Sequence, residues 1–156
     1  DKAVGFSGFS DFALGTQYCK VVTNGNDDGI GSLRFAIAQC SNPEDYIYIA
    51  EFIDSIFLVS DTIILDKNLS IFHSGNEKVV IQTTSSSPVF KTNPGVLITL
   101  NNIEIHSGGV ASSKALLNNG NTILWNVDII NSIPGEIPVM NTGTLETSAT
   151  VQIKNQ

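Results

Sequence analysis

Charge is what this sequence has least of. Asp, Glu, Lys and Arg make up 15% of its 156 residues, Lys and Arg together number eight, and the net charge is −7. Without a basic footprint a chain has nothing to neutralise nucleic-acid phosphates or to hold anionic lipid, so nucleic acid and a membrane surface are set aside as partners. No run of about 18 apolar residues is long enough for a membrane-spanning helix, and the first residues lack the charged-then-apolar pattern of a secretory signal. Gly-rich phosphate loops, nucleophile elbows and zinc-ligand spacings are also missing, and no cofactor is expected. What remains is 42% hydrophobic residues, enough for one continuous core and too many for a disordered chain. The sequence starts at Asp1 and stops at Gln156 just after the strand-like Val151-Gln152-Ile153, so it is read as a piece of a longer protein.

Three stretches differ in composition. Residues 1–17 are rich in Gly, Ser and Phe, with Phe6, Phe9 and Phe12 at a spacing of three that suits neither strand nor Gly-containing helix; they read as the end of a preceding module or a linker. Residues 18–45 hold a strand from Cys19 to Thr23, an Asn/Asp/Gly turn, and the one clear helix pattern. Ser32 is a good N-cap there, and Leu33, Ala36, Ile37 and Cys40 follow at i, i+3, i+4 and i+7. Residues 46–156 break into short apolar strands between polar turns: Tyr46–Ala50, Ile56–Val59, Thr62–Leu65, Leu69–Phe72, Val79–Gln82, Val89–Phe90, Val96–Leu100 and Ile103–Ile105.

A repeat decides the fold class. Ile103-Glu104-Ile105, Val127-Asp128-Ile129 and Val151-Gln152-Ile153 recur 24 residues apart. Each follows a glycine (Gly95, Gly120, Gly143), and an apolar pair precedes each glycine (Val89-Phe90, Leu116-Leu117, Val139-Met140). One such unit cannot bury its apolar face alone, whereas stacked units share one core and pair their backbones. The expected architecture is all-β: a right-handed parallel β-helix with a short N-terminal capping helix, its inner columns formed by Ile103, Ile105, Val127, Ile129, Val151 and Ile153. A β-sandwich is the alternative, and it does not call for a fixed offset.

The segment Val21 to Ile37, with Asn24-Gly25-Asn26-Asp27-Asp28-Gly29 leading into Gly31-Ser32-Leu33-Arg34, resembles the opening of a bacterial parallel β-helix family in which strand, turn, Gly-Ser-Leu-Arg and capping helix precede the rungs. The likeness runs on through Leu69-Ser70-Ile71 and Ile103-Glu104-Ile105-His106-Ser107-Gly108, roughly residues 19–130. It assigns Ser32, Leu33 and Arg34 to the cap. Gly8-Phe9-Ser10-Asp11-Phe12-Ala13-Leu14-Gly15 is similar to a segment at domain ends in large Bacteroidetes-type proteins exported by the type IX route. Together the two resemblances imply a module of a large secreted surface protein, adhesin-like or polysaccharide-associated. Its partners would be other domains of the same polypeptide, a surface glycan or another protein. Export in turn makes Cys19 and Cys40 a disulfide rather than two buried thiols, closing a loop of about 20 residues for roughly 3 kcal/mol. The family has binding, structural and lyase members, so it transfers no activity.

Several residue sets have chemistry in reach. Asn24, Asn26 and Asp28 before Gly29 imitate the first half of a calcium loop, but Phe35 stands where the bidentate Glu belongs, and a plain turn is favoured. Glu104 and Asp128 would face outward on adjacent rungs about 5 Å apart, a separation that suits a retaining glycosidase and favours a proton on one of them. A solvated pair on an open face, with no basic or aromatic neighbour, is the blander reading. A polysaccharide lyase needs clustered acids and a base, and the only arginine, Arg34, lies in the cap helix. Aligning Leu69 and Ile71 with Ile103 and Ile105 gives an offset of 34, whereas His73 and His106 lie 33 apart, so the two histidines are not expected to stack and read as isolated turn residues. Trp125, five residues after Gly120 as Leu100 is after Gly95, is expected to pack inside. The function expected is a non-catalytic surface module, with a glycoside hydrolase or lyase as alternative. A rung such as 151–153, left uncovered, should associate end to end.

Overall fold

Short apolar-polar-apolar stretches fold as strands that bury one face, and such strands need neighbours on both edges. The structure, a computed structural model, describes residues 18–41, 45–148 and 150–155, with the backbone alone for Tyr18 and Cys19. It contains β1 (Tyr18–Val22), α1 (Leu33–Gln39), β2 (Asp45–Ile49), β3 (Ser55–Leu58), β4 (Ile63–Leu65), β5 (Leu69–His73), β6 (Val79–Thr83) and β7 (Phe90–Thr92). These are followed by β8 (Leu97–His106), β9 (Leu116–Asn118), β10 (Asn121–Asn131), β11 (Val139–Asn141), β12 (Thr144–Thr147) and β13 (Gln152–Asn155). Every strand pairing is parallel, and the chain winds through about six stacked coils. This is the parallel β-helix that the repeat calls for.

Each coil has three faces. The first is β1-β2-β5-β8-β10-β12, where β8 and β10 contribute their first halves; the second is β3-β6-β8-β10-β13, built on their second halves; the third is β4-β7-β9-β11. Register stacks like on like inside. Ile47, Ile71, Leu100 and Leu124 form one inner column, Ile56, Ile81, Ile105 and Ile129 a second, and Ile63, Phe90 and Leu116 a third, none more than 2% exposed. Burying each such side chain contributes about 1.5–3 kcal/mol before the entropy of ordering it.

One polar column enters the core without a penalty for unmet hydrogen bonds. Thr92 Oγ1 donates to Asn118 Oδ1 at 2.6 Å, Thr122 Oγ1 donates to the same oxygen at 2.8 Å, and Asn118 Nδ2 donates to Asn141 Oδ1 at 2.7 Å. The stacked glycines are required by closeness. A Cβ at Gly143 would lie 2.0 Å from the Gly120 carbonyl oxygen, and one at Gly120 would lie 2.5 Å from that of Asn93.

The cap forms as expected. Ser32 is fully buried, its hydroxyl accepts the Phe35 N–H at 3.1 Å, and Leu33, Ala36 and Ile37 face β1 and β2. Cys40 closes the helix, 2% exposed, with its sulfur 3.2 Å from the Ala36 carbonyl oxygen. The Cys19 side chain lies outside the described residues, as do residues 1–17 with Phe6, Phe9 and Phe12.

Two alignments differ from the sequence reading, and so does the burial of the last coil. Leu69 and Ile71 stack on Ile98 and Leu100, not on Ile103 and Ile105. Six residues, 73–78, separate Phe72 from Val79, whereas Asn102 alone joins Asn101 to Ile103, so an inserted corner loop hides the true register. Phe90 pairs with Leu116, one place off the expected match of apolar pairs. Of the six expected inward residues, Ile103, Ile105, Val127 and Ile129 are fully buried; Val151 is half-buried, and Ile153 is 47% exposed because nothing described lies beyond its coil.

Candidate functional site

Glu104 stands opposite Asp128, and Asp128 opposite Gln152, as the 24-residue offset requires. Their surroundings differ from the solvated open face expected. Asp128 is 9% exposed, with Lys78 Nζ 2.8 Å from its Oδ1 and Lys154 Nζ 4.0 Å from its Oδ2. Glu104 Oε1 is hydrogen-bonded to His106 Nε2. The expectation that no basic group flanks the pair is therefore corrected: Lys78 arrives from the corner loop, far away in sequence, and His106 follows Glu104 by two places on the same outward side of β8. Two carboxylates that would repel each other are each matched with a cation or a hydrogen-bonding ring. Asn76, Glu77, Lys78, Glu104, Asn126 and Asp128 line a hollow of about 400 Å³. No aromatic ring is among them.

The corner loop that supplies Lys78 is held from the coil above. Asn102 Nδ2 lies 3.2 Å from the carbonyl oxygen of His73, 2.7 Å from that of Gly75 and 3.2 Å from that of Glu77, so one amide group gathers three loop carbonyls. The His73 ring, 7% exposed, contacts the Glu77 carbonyl through Nδ1 at 3.0 Å, and a Cβ at Gly75 would lie 2.4 Å from its Cε1. His73 pairs with Ile49 and His106 with Gln82; the two histidines do not stack, as expected, although the register behind that expectation was wrong.

At the N-terminal end the turn oxygens serve the loop itself. Asn24 Oδ1 accepts the Asn26 N–H at 3.1 Å, Asn24 Nδ2 donates to the Ile30 carbonyl at 2.9 Å, and Asp28 Oδ1 accepts the Gly29 N–H at 2.7 Å. The acid that sequence reasoning passed over is their neighbour Asp27. Its Oδ1 pairs with Arg34 Nη2 at 2.9 Å, and its Oδ2 accepts the Ser60 N–H at 2.8 Å and the Ser60 hydroxyl. Burial by itself would raise the Asp27 carboxyl, but the Ser60 hydroxyl, the Arg34 guanidinium and the Ser60 N–H outweigh it and hold the group below the usual carboxylate range. Arg34 Nη2 also donates to the Asp61 carbonyl at 2.7 Å, so the cap helix is tied to the turn between β3 and β4.

Trp125 is the other correction. It is 55% exposed rather than packed inside. Asn121 pairs with Leu97, which sets Gly120 level with Val96 instead of Gly95, and the count of five residues lands one place off. Leu124 takes the inner position over Leu100, and Trp125 points outward in register with Asn101. The chain matches no family model, no curated protein and no solved structure. Function must therefore be read from two outward places: the paired acids beside the corner loop and the uncharged column that carries Trp125. Among the described residues no helix is long and apolar enough to cross a membrane, and no three His, Cys, Asp or Glu side chains are grouped to hold a metal ion.

Proposed function

We propose that the chain is a non-catalytic, extracellular module of a larger secreted protein, presenting the flat outer face of its first sheet for binding. The observation that carries this reading is the contrast between the two outward places. The acid column is occupied by partners of its own, Lys78 and Lys154 at Asp128 and the His106 ring at Glu104, while Trp125 stands 55% exposed in a column without charge. A half-exposed Trp on a rigid sheet is the kind of side chain that anchors ligands. The resemblance of Val21 to Ile37 to the β-helix family with a Gly-Ser-Leu-Arg cap, together with that of Gly8 to Gly15 to a segment of proteins exported by the type IX route, supports secretion, display on the cell surface and, through export, a Cys19–Cys40 disulfide. Other domains of the same polypeptide, a glycan or a surface protein are the partners of this reading.

A second reading, a β-helix glycoside hydrolase or polysaccharide lyase, has one observation in its favour: Glu104 and Asp128 share a hollow with Lys78, which holds an acid pair and a candidate base side by side. The two readings separate in a turnover screen on polygalacturonate, alginate, xylan and galactomannan. The surface-module reading expects no new reducing ends and no unsaturated products from any of them. Turnover that disappears in Glu104→Gln and Asp128→Asn would overturn it.

A further inference from the structure

We propose that the outward face of the first sheet binds a neutral β-1,4-linked glycan laid along the solenoid axis, with Trp125 as its main stacking platform. This rests on reading the chain as a binding module and names the ligand class. Register fixes the geometry. Val21, Tyr48, Phe72, Asn101 and Trp125 form one outward column, one residue per coil, and Tyr46, Ser70, Thr99 and Ile123 form the column beside it. Coils stack about 4.8 Å apart, so Phe72 and Trp125 lie two coils and roughly 9–10 Å apart. That is the span of a β-1,4-linked disaccharide, whose every second ring presents the same face. A straight column of this kind suits an extended ribbon-like glycan and does not suit a coiled α-linked one.

The chemistry of the column matches such a ligand. Aromatic rings offer apolar faces to the C–H sides of sugar rings, while Asn101, Thr99, Ser70 and Tyr46 supply side-chain donors and acceptors between them. No charged residue occurs in either column until Glu146, which pairs with Ile123 on the last coil. Two columns without cations, in a chain of net charge −7, have no means of attracting uronates or sulfated chains, and this selects the neutral class. The lower part of the column is held in place. The Tyr48 and Phe72 rings meet edge to face, with centroids 5.3 Å apart and planes at 67°, and the Tyr48 hydroxyl is 2.5 Å from Ser74 Oγ. Trp125 has no such ring partner among the described residues and stays open to a ligand.

Trp125 is the only tryptophan in the chain, so its emission reports on this column alone. The experiment titrates the whole chain with cellohexaose and mannohexaose by fluorescence and measures its retardation in gels containing galactomannan, dextran or polygalacturonate. A saturable blue shift with a β-1,4 hexasaccharide, retardation by galactomannan alone, and at least tenfold weaker retention in Trp125→Ala with an unchanged melting midpoint are expected. Failure of both hexasaccharides and galactomannan to bind would overturn the inference. So would binding with no change in emission, or full retention by Trp125→Ala. None of these results bears on whether the module is catalytic, which the turnover screen on polysaccharides decides separately.

Discussion

Asn126 stands one coil above Asn102 and donates its side-chain amide to Asn102 Oδ1 at 2.8 Å, and both residues have left-handed backbones, with φ of 51° and 58°. Asparagine tolerates that conformation better than other residues with a Cβ, and it carries an amide to hold the neighbouring coils. The pair thus does two things at one corner: it turns the chain from the first face to the second in a single residue, and it clamps the loop that delivers Lys78.

Replacing Asn102 by Ala should therefore cost about 2–4 kcal/mol, from left-handed strain and from loop carbonyls left without a donor. Asn102→Gly removes the strain and keeps the carbonyl loss, so its urea midpoint should fall between those of Ala and the parent. Equal midpoints for the Gly and Ala variants would show that the backbone conformation contributes nothing.

The Asp27 carboxylate, held below its usual range by Ser60 and Arg34, makes a prediction about pH. A depressed folded pKa stabilises fully above the unfolded value, near 4, and that contribution is lost as pH falls through the folded pKa. Melting midpoints from pH 7 down to pH 2 should show the parent above Asp27→Asn at pH 5–7, with the gap closing below about pH 4. A gap that stays constant throughout would remove the charge from the explanation.

For the cysteines, the expectation is a Cys19–Cys40 bond in protein recovered from outside the cell. Intact mass before and after reduction settles it: a gain of two hydrogens supports the bond, and two alkylatable thiols in unreduced protein refute it. With the bond in place, reduction should lower stability by roughly 3 kcal/mol.

The coil formed by β11, β12 and β13 has no neighbour on its outer side among the described residues, and Ile153 is 47% exposed although its register partner Ile129 is fully buried. An open coil edge templates pairing. Sedimentation of the 156-residue chain should show concentration-dependent association that Ile153→Lys weakens. A chain that stays monomeric at every concentration, with β13 protected from hydrogen exchange, would show that the edge needs no cover.

Much of this was legible in the sequence where one residue does one job in a repeating environment. The apolar-polar-apolar triplets at 103–105 and 127–129 announced the inner columns, while the third, at 151–153, is left partly exposed, and Ser32 with its helical spacing announced the cap. The Glu104–Asp128 column followed from the same offset. What stayed hidden depends on contacts between coils. Lys78 reaches Asp128 only because a six-residue corner opposes a one-residue corner, and nothing local in 73–78 signals that. Asp27 and Arg34 lie in a segment read as turn and cap, yet their partners come from residues 60–61, supplied by the next coil. Trp125 was misplaced by a single residue, and in a strand one residue exchanges inside for outside. Its left-handed neighbour Asn126, followed by the inward Val127, was the signal that a corner lay there.

If the Trp125 face is the working surface and the acid column is structural, two variants measured side by side should separate the roles. Trp125→Ala should keep the parent's melting midpoint to within about 1–2 °C and lose retention on galactomannan. Asp128→Asn, which leaves Lys78 short of its partner, should lose roughly 1–3 kcal/mol of stability and keep retention at the parent's level. The opposite pattern, with binding lost in Asp128→Asn at an unchanged midpoint and kept in Trp125→Ala, would contradict the assignment and move the working site to the acid column.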